Sequence, residues 1–435
     1  MTGPAPSLPH VRFTRRTLAN GLRVIIAPDH IAPVVAVNLW YDVGSRHEVP
    51  GKTGFAHLFE HFMFQGSRNV SKAEHMGLIQ AAGGTNNATT FFDRTNYFET
   101  LPSHQLELAL WLEADRMATL LDALSQENLD NQRDVVKNEK RQSYDNRPYG
   151  SVYEKLMGAL YPAGHPYHHT PIGSMEDLDA ASVDDVIGFF RTWYAPNNCV
   201  LTIAGDVDEA AAFAAVERWF GPIPANPALR RAPLPADPGR LGGETRLVIE
   251  DRVPLSRVHV AWRMPAYGTD AHDALEVATQ ILVGGRGSRL YRRLVRDERI
   301  AQDVAAFTLP LVGNTAVLAA WATALPEADL ATVERVLLEE VARLRDEPVT
   351  DDELARARAL IESSELGALS RMEEVADRLS MFETYFDRAE LINEQLSRAL
   401  AVDARAIMDA ARAAILDDDR VVITYVPADT TAEAA

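Results

Sequence analysis

Apolar residues along this chain fall into two rhythms: short unbroken runs, and longer stretches in which they recur every three to four positions. The runs RVIIA (23–27) and VVAVNLWY (34–41) are dense in β-branched and aromatic residues and predict a pair of strands. A similar pair, RLVIE (246–250) and VHVAWR (258–263), follows some two hundred residues later. NCVLTIAGDV (198–207) and DRVVITYV (419–426) likewise match, each an apolar strand closing its half. Helical spacing runs through 106–121 and 330–344. The same succession twice over predicts a duplicated α+β fold: two homologous domains, each a mixed, mostly antiparallel sheet with helices packed on one face. A Pro-rich stretch, GPIPANPALRRAPLPADPGRLGG, sets the boundaries at 11–220, a linker at 221–243, and 244–428. A chain of 435 residues exceeds what one core usually supports, and 47% apolar residues suffice for two.

One short apolar stretch carries chemistry. Residues 57–61 read HLFEH between GFA and FMF. At about 100° per residue, His57, Glu60 and His61 occupy an arc of roughly 100° on a helix, so both imidazoles can reach one ion beside a carboxylate. Two neutral imidazoles suit zinc, and a catalytic zinc needs a third protein ligand and an open position. Glu139 is the candidate, on a polar helical run at 131–144 and 78 residues beyond His61. Ordinary core histidines and a solvated glutamate on a charged helix are the plain alternatives.

HLFEH, GTNNA (84–88), Asp93, TNY (95–97) and RDVVKNE (133–139) together resemble the pitrilysin or insulinase family of inverted-motif zinc peptidases, in particular its half-size bacterial type, similar to mitochondrial processing peptidase subunits. The resemblance implies that His57, His61 and Glu139 ligate Zn2+ and that Glu60 is the general base for water attack on a peptide carbonyl. It implies an edge strand at Asn87 and Ala88 that takes an extended peptide, although Asn86 and Asn87 after Gly83 and Gly84 also suit a turn. The second half has no metal spacing and is expected to bind substrate and contact another subunit. Two positions depart from the family. Gln132 stands where many relatives carry a supporting glutamate, which weakens that support without removing a ligand. An arginine and a tyrosine six or seven residues later commonly bind the substrate backbone; Arg296 is present, but Gln302 and Asp303 follow at that spacing, and Tyr291 precedes it. We therefore expect half of a clamshell, completed in a heterodimer by a homologous subunit that supplies the Arg/Tyr pair, a homodimer being the lesser expectation. The reaction expected is hydrolysis of unstructured peptides in an enclosed chamber. The alternative is a noncatalytic assembly or core subunit of the same ancestry.

Composition narrows the partners. A net charge of −19 argues against nucleic acid and fits basic peptides or simply solubility. No apolar run approaches the roughly 18 residues of a membrane helix, so no membrane partner is expected. The start as given lacks a signal-peptide core, which reads as cytoplasmic, or as periplasmic if a leader was removed. The single cysteine, Cys199, excludes an internal disulfide and sits in a predicted strand. His165, His168 and His169 share a loop, where neighbours seldom ligate one ion, and His272 reads as a helix-start or surface histidine.

Overall fold

The structure, a computed structural model, describes residues 10–428. It divides into two compact units. The first holds the chain up to Asn138, His169–Pro233 and Glu365–Gln395; the second holds Glu139–His168, Leu234–Ser364 and the chain from Leu396.

The first unit is built on a six-stranded sheet of β1 (Thr14–Thr17), β2 (Arg23–Pro28), β3 (Val34–Tyr41), β4 (Thr85–Thr90), β5 (Thr95–Pro102) and β6 (Cys199–Gly205), in the spatial order β1-β2-β6-β3-β5-β4. Only β2 and β6 run parallel. The second unit has β7 (Thr245–Asp251), β8 (Arg257–Met264), β9 (Ala301–Leu309), β10 (Ala316–Ala324) and β11 (Val421–Pro427), in the order β7-β11-β8-β10-β9, with β7 and β11 parallel. Strand for strand this repeats β2-β6-β3-β5-β4. The two pairs of similar apolar runs occupy equivalent places, as a duplicated fold requires, and the α+β class with mixed sheets stands.

The first sheet carries helices on both faces. Alternation along β3 sends Asn38 and Trp40 to one side and Leu39 and Tyr41 to the other. On the first side lies the helix Met372–Phe386, whose Asp377 accepts from Asn38 Nδ2 (3.1 Å), Trp40 Nε1 (2.8 Å) and Asn96 Nδ2 (2.9 Å) with one carboxylate oxygen. Ser380 Oγ adds a bond to Thr202 Oγ1 at 2.7 Å. On the other side lie α1 (Phe55–Phe62), α2 (Glu74–Ala81) and α3 (Leu106–Thr119). This is why β3 and β6 are apolar almost throughout and not alternating: both of their faces are covered. Among the described residues no helix is long and apolar enough to cross a membrane.

Candidate metal centre

Helix α1, FAHLFEHF, starts after Gly54, whose φ of 90° is left-handed and whose Cβ, if present, would meet Ile172 O at 3.0 Å. Phe55, Ala56, Leu58, Phe59 and Phe62 are buried. Phe59 packs at ring-centroid distances of 5.0 Å from Phe189 and 5.2 Å from Tyr194. Each such large side chain contributes about 1.5–3 kcal/mol by leaving water. Two turns of isolated helix do not hold themselves, so this packing is what keeps α1 helical.

The remaining face presents His57, Glu60 and His61, all half-buried. The imidazole rings stand edge to face at 89°, with centroids 4.8 Å apart, and their Nε2 atoms are separated by 3.4 Å. Two nitrogens bound tetrahedrally to one zinc at the usual bond length lie about 3.3 Å apart, so the pair is spaced as co-ligands. The third group arrives on α4 (Gln126–Lys140), whose Leu129, Gln132 and Val136 form its buried face. Glu139 continues that face, and ligand atoms of His57, His61 and Glu139 lie within 4.8 Å of one another. Two imidazoles and a carboxylate form a donor set that fits zinc. Directly after Lys140 the backbone widens into a π turn over Arg141–Asp145, a distortion frequent near functional sites. Gln132 is 3% exposed, and its Nε2 donates to Asn131 Oδ1 (2.9 Å).

Glu60 lies outside the three-residue group. Burial pushes the phenols of Tyr97 and Tyr194 up, and the charge of Glu60 adds to this. They remain neutral, joined Oη to Oη at 3.0 Å, with Tyr97 Oη donating to Phe59 O at 3.4 Å.

Strand β4 is an outer strand of the first sheet, and both Asn86 and Asn87 lie within it and not in a turn. Ala88 N–H donates to Asn87 Oδ1 (2.9 Å), so it points away from β5 and is covered by its neighbour's side chain. Arg296 sits in the second unit, exposed and paired with the adjacent Asp297 (2.8 Å), and is not among the residues gathered at α1. Asp303 accepts from Trp321 Nε1 (3.2 Å) and Thr323 Oγ1 (3.1 Å), a bracing role inside its sheet.

The other histidines separate cleanly. His165 bonds Ala236 O (3.1 Å), His168 bonds Tyr161 O (2.7 Å), and His169 bonds Glu48 (2.8 Å), three partners and no common centre. His272 does begin a helix, Asp270–Val283, but it is fully buried beside Tyr267 and not on the surface; burial holds its imidazole down at about 4. Cys199 is buried in β6, and burial pushes its thiol well up.

A second buried group, His75, Glu99 and Glu113, was not visible in the sequence. His75 Nε2 meets Glu99 Oε1 at 2.6 Å, and Arg116 Nε donates to Glu113 (2.9 Å). Arg116 is 2% exposed and lies over the Tyr97 ring at 4.5 Å. With a guanidinium already seated on Glu113, this is a salt-bridged network and not a cation site. Its members come from α2, β5 and α3, and no spacing along the chain links them.

Two like α+β sheets, with His57 and His61 on a short helix and Glu139 on a longer one forming a group that could hold a metal, point to a class of metallopeptidase. Residues 23–169 match the model "Insulinase (Peptidase family M16)" and residues 180–361 match "Peptidase M16 inactive domain". The chain belongs to peptidase family M16. The zinc protease PqqE of Helicobacter pylori is 29% identical over 372 residues, 85% of this chain and 82% of that one. A probable mitochondrial-processing peptidase subunit beta of Arabidopsis thaliana is 26% identical, over 97% of this chain and 79% of that one. The crystal structure of a protease from Helicobacter pylori superposes with a TM-score of 0.90 at 26% identity, covering 96% of this chain and 100% of that one.

Proposed function

We propose that the chain is the zinc-bearing subunit of an endopeptidase that hydrolyses extended, unstructured peptides. The observation that carries this is the 3.4 Å separation of the His57 and His61 Nε2 atoms with Glu139 alongside. His57, His61 and Glu139 would hold the metal. When bound, zinc would supply a Lewis acid for the peptide carbonyl and acidify the attacking water. Glu60 takes the proton from that water on its carboxylate and returns it to the departing amine. The substrate adds to the outer edge of β4, where main-chain bonds are indifferent to side-chain identity; Asn87 must first swing off the Ala88 N–H.

Pairing with a second, similar chain is supported by the relative named as a subunit and by Gln302 and Asp303 standing where a tyrosine is expected. The partner would supply the Arg/Tyr pair, and Arg296 would help bind substrate only as far as its own side chain reaches. A noncatalytic assembly subunit draws support from the inactive-domain match over 180–361. The presence of His57, Glu60, His61 and Glu139 together weighs against it.

The test is Glu60→Gln, with zinc content and hydrolysis of a quenched unstructured peptide measured on the same samples. Zinc near one per chain in both proteins, with turnover down by about 10²–10⁴-fold in the variant, is the expected result. Loss of the zinc in Glu60→Gln, or unchanged turnover, would overturn the base assignment.

A further inference from the structure

Helix α1 is eight residues long, yet it must hold two imidazoles at co-ligand spacing. Its ends are where it would fray, and each end meets a buried charged side chain from elsewhere in the first unit. At the N-terminus, Glu48 Oε2 accepts from Gly54 N (2.9 Å) and Oε1 from Ala56 N (2.8 Å). These are two of the amides that a helix start leaves without partners, and Gly54 has no side chain to cap them itself. Glu48 is in turn held by His169 Nε2 at 2.8 Å, which also reaches Ser45 O at 3.1 Å. Burial pushes the Glu48 carboxyl up, whereas His169 and the two amides pull it back toward the ionised form. At the C-terminus, Arg116 Nη1 donates to Met63 O (3.5 Å), the carbonyl of the residue that caps α1. Arg116 is anchored by Glu113, and Tyr97 bonds Phe59 O one turn earlier. A buried carboxyl at the start and a buried guanidinium at the end match the sign of the helix dipole.

We propose that Glu48 and Arg116 are positioning residues for the metal-binding helix: they clamp its two ends and so fix the angle at which His57, Glu60 and His61 are presented. Glu48 sits six residues before Gly54, too far for a local capping box, which is why the chain itself does not advertise it. His169 has a defined part in this: it orients Glu48 and takes no metal.

This proposal rests on the zinc reading for its consequences but not for its test. In the metal-free full chain, Glu48→Gln should speed hydrogen exchange at the first-turn amides of α1 by tenfold or more, with the circular-dichroism spectrum unchanged. In the loaded chain it should weaken zinc by about 10–100-fold, alter the visible spectrum of the cobalt-substituted protein, and lower kcat with KM held within twofold. His169→Gln keeps a donor and should stay near wild type, whereas His169→Phe should behave as Glu48→Gln. The His169 pair decides the matter if Glu48→Gln does not fold. Unchanged exchange and cobalt spectrum in folded Glu48→Gln, or no difference between the two His169 variants, would overturn the proposal. A wild-type chain that takes up no zinc would sink the peptidase reading, and the exchange result would still decide this one.

Discussion

Glu99 and Glu113 are two buried carboxyls of one network, Glu99 bonded to His75 (2.6 Å) and Glu113 to the Arg116 guanidinium (2.9 Å). Burial pushes both up to about 7, against the pull of Arg116. A folded-state value above the ordinary 4.5 means that the folded chain holds the proton longer than the unfolded one. The resulting stabilisation is complete below about 4.5 and lost as pH rises through about 7. Glu99→Gln stays neutral and escapes that loss. Relative to wild type, its stability in urea should therefore improve between about pH 5 and pH 8, by about 1–3 kcal/mol. His75, held down at about 3 by burial, is neutral in both folded proteins across that range, and its unfolded titration cancels in the comparison. A pH-independent difference between the two proteins would refute the burial-raised titration of Glu99. At this scale, legibility followed the chain. His57, Glu60 and His61 were readable because one helix period links them, and Glu139 because it sits on a recognisable second helix. Glu48, Arg116 and the His75 network were not, because each acts on a residue to which no periodicity ties it.

Among the elements, strands with both faces covered announced themselves as unbroken apolar runs, and β3 and β6 lie where those runs predict them. The outer strands did not. TRRT in β1 is mostly exposed, and TNNATT in β4 is polar; only the family resemblance pointed to an edge near Asn87 and Ala88. The π turn after Lys140 also leaves no pattern, since it is a local change in helix pitch. The direction of the Ala88 amide, away from β5, gives β4 a specific test. Proline is tolerated on an outer strand where the missing N–H faces outward, so Ala88→Pro should fold and retain zinc. It should raise KM for an extended peptide by about fivefold or more, the worth of one hydrogen bond, with zinc content unchanged. An unchanged KM would show that the peptide does not add at that edge.

For the molecule as a whole, the duplicated topology was legible because strands of like composition recur in like order. The interleaving of the units was not: residues 139–168 and 365–395 each belong with the other half of the sequence, for reasons of packing that composition does not record. The pairing proposed above sets the size to measure. The active species should sediment at about twice the 48.0 kDa of one chain, as a heterodimer whose turnover exceeds that of either chain alone. Equal turnover from the isolated chain at every concentration would remove the need for a partner.

The helix Met372–Phe386 also sets a clock. The first sheet has its last strand by Gly205, yet the face bearing Asn38, Trp40 and Asn96 is covered only by a helix about 180 residues further along. At about 5–20 residues per second on the ribosome, that face waits roughly 10–40 s for its cover. The nascent chain thus carries one face of that sheet uncovered until the helix is made, an interval in which exposed apolar surface invites association with other chains or with holding factors.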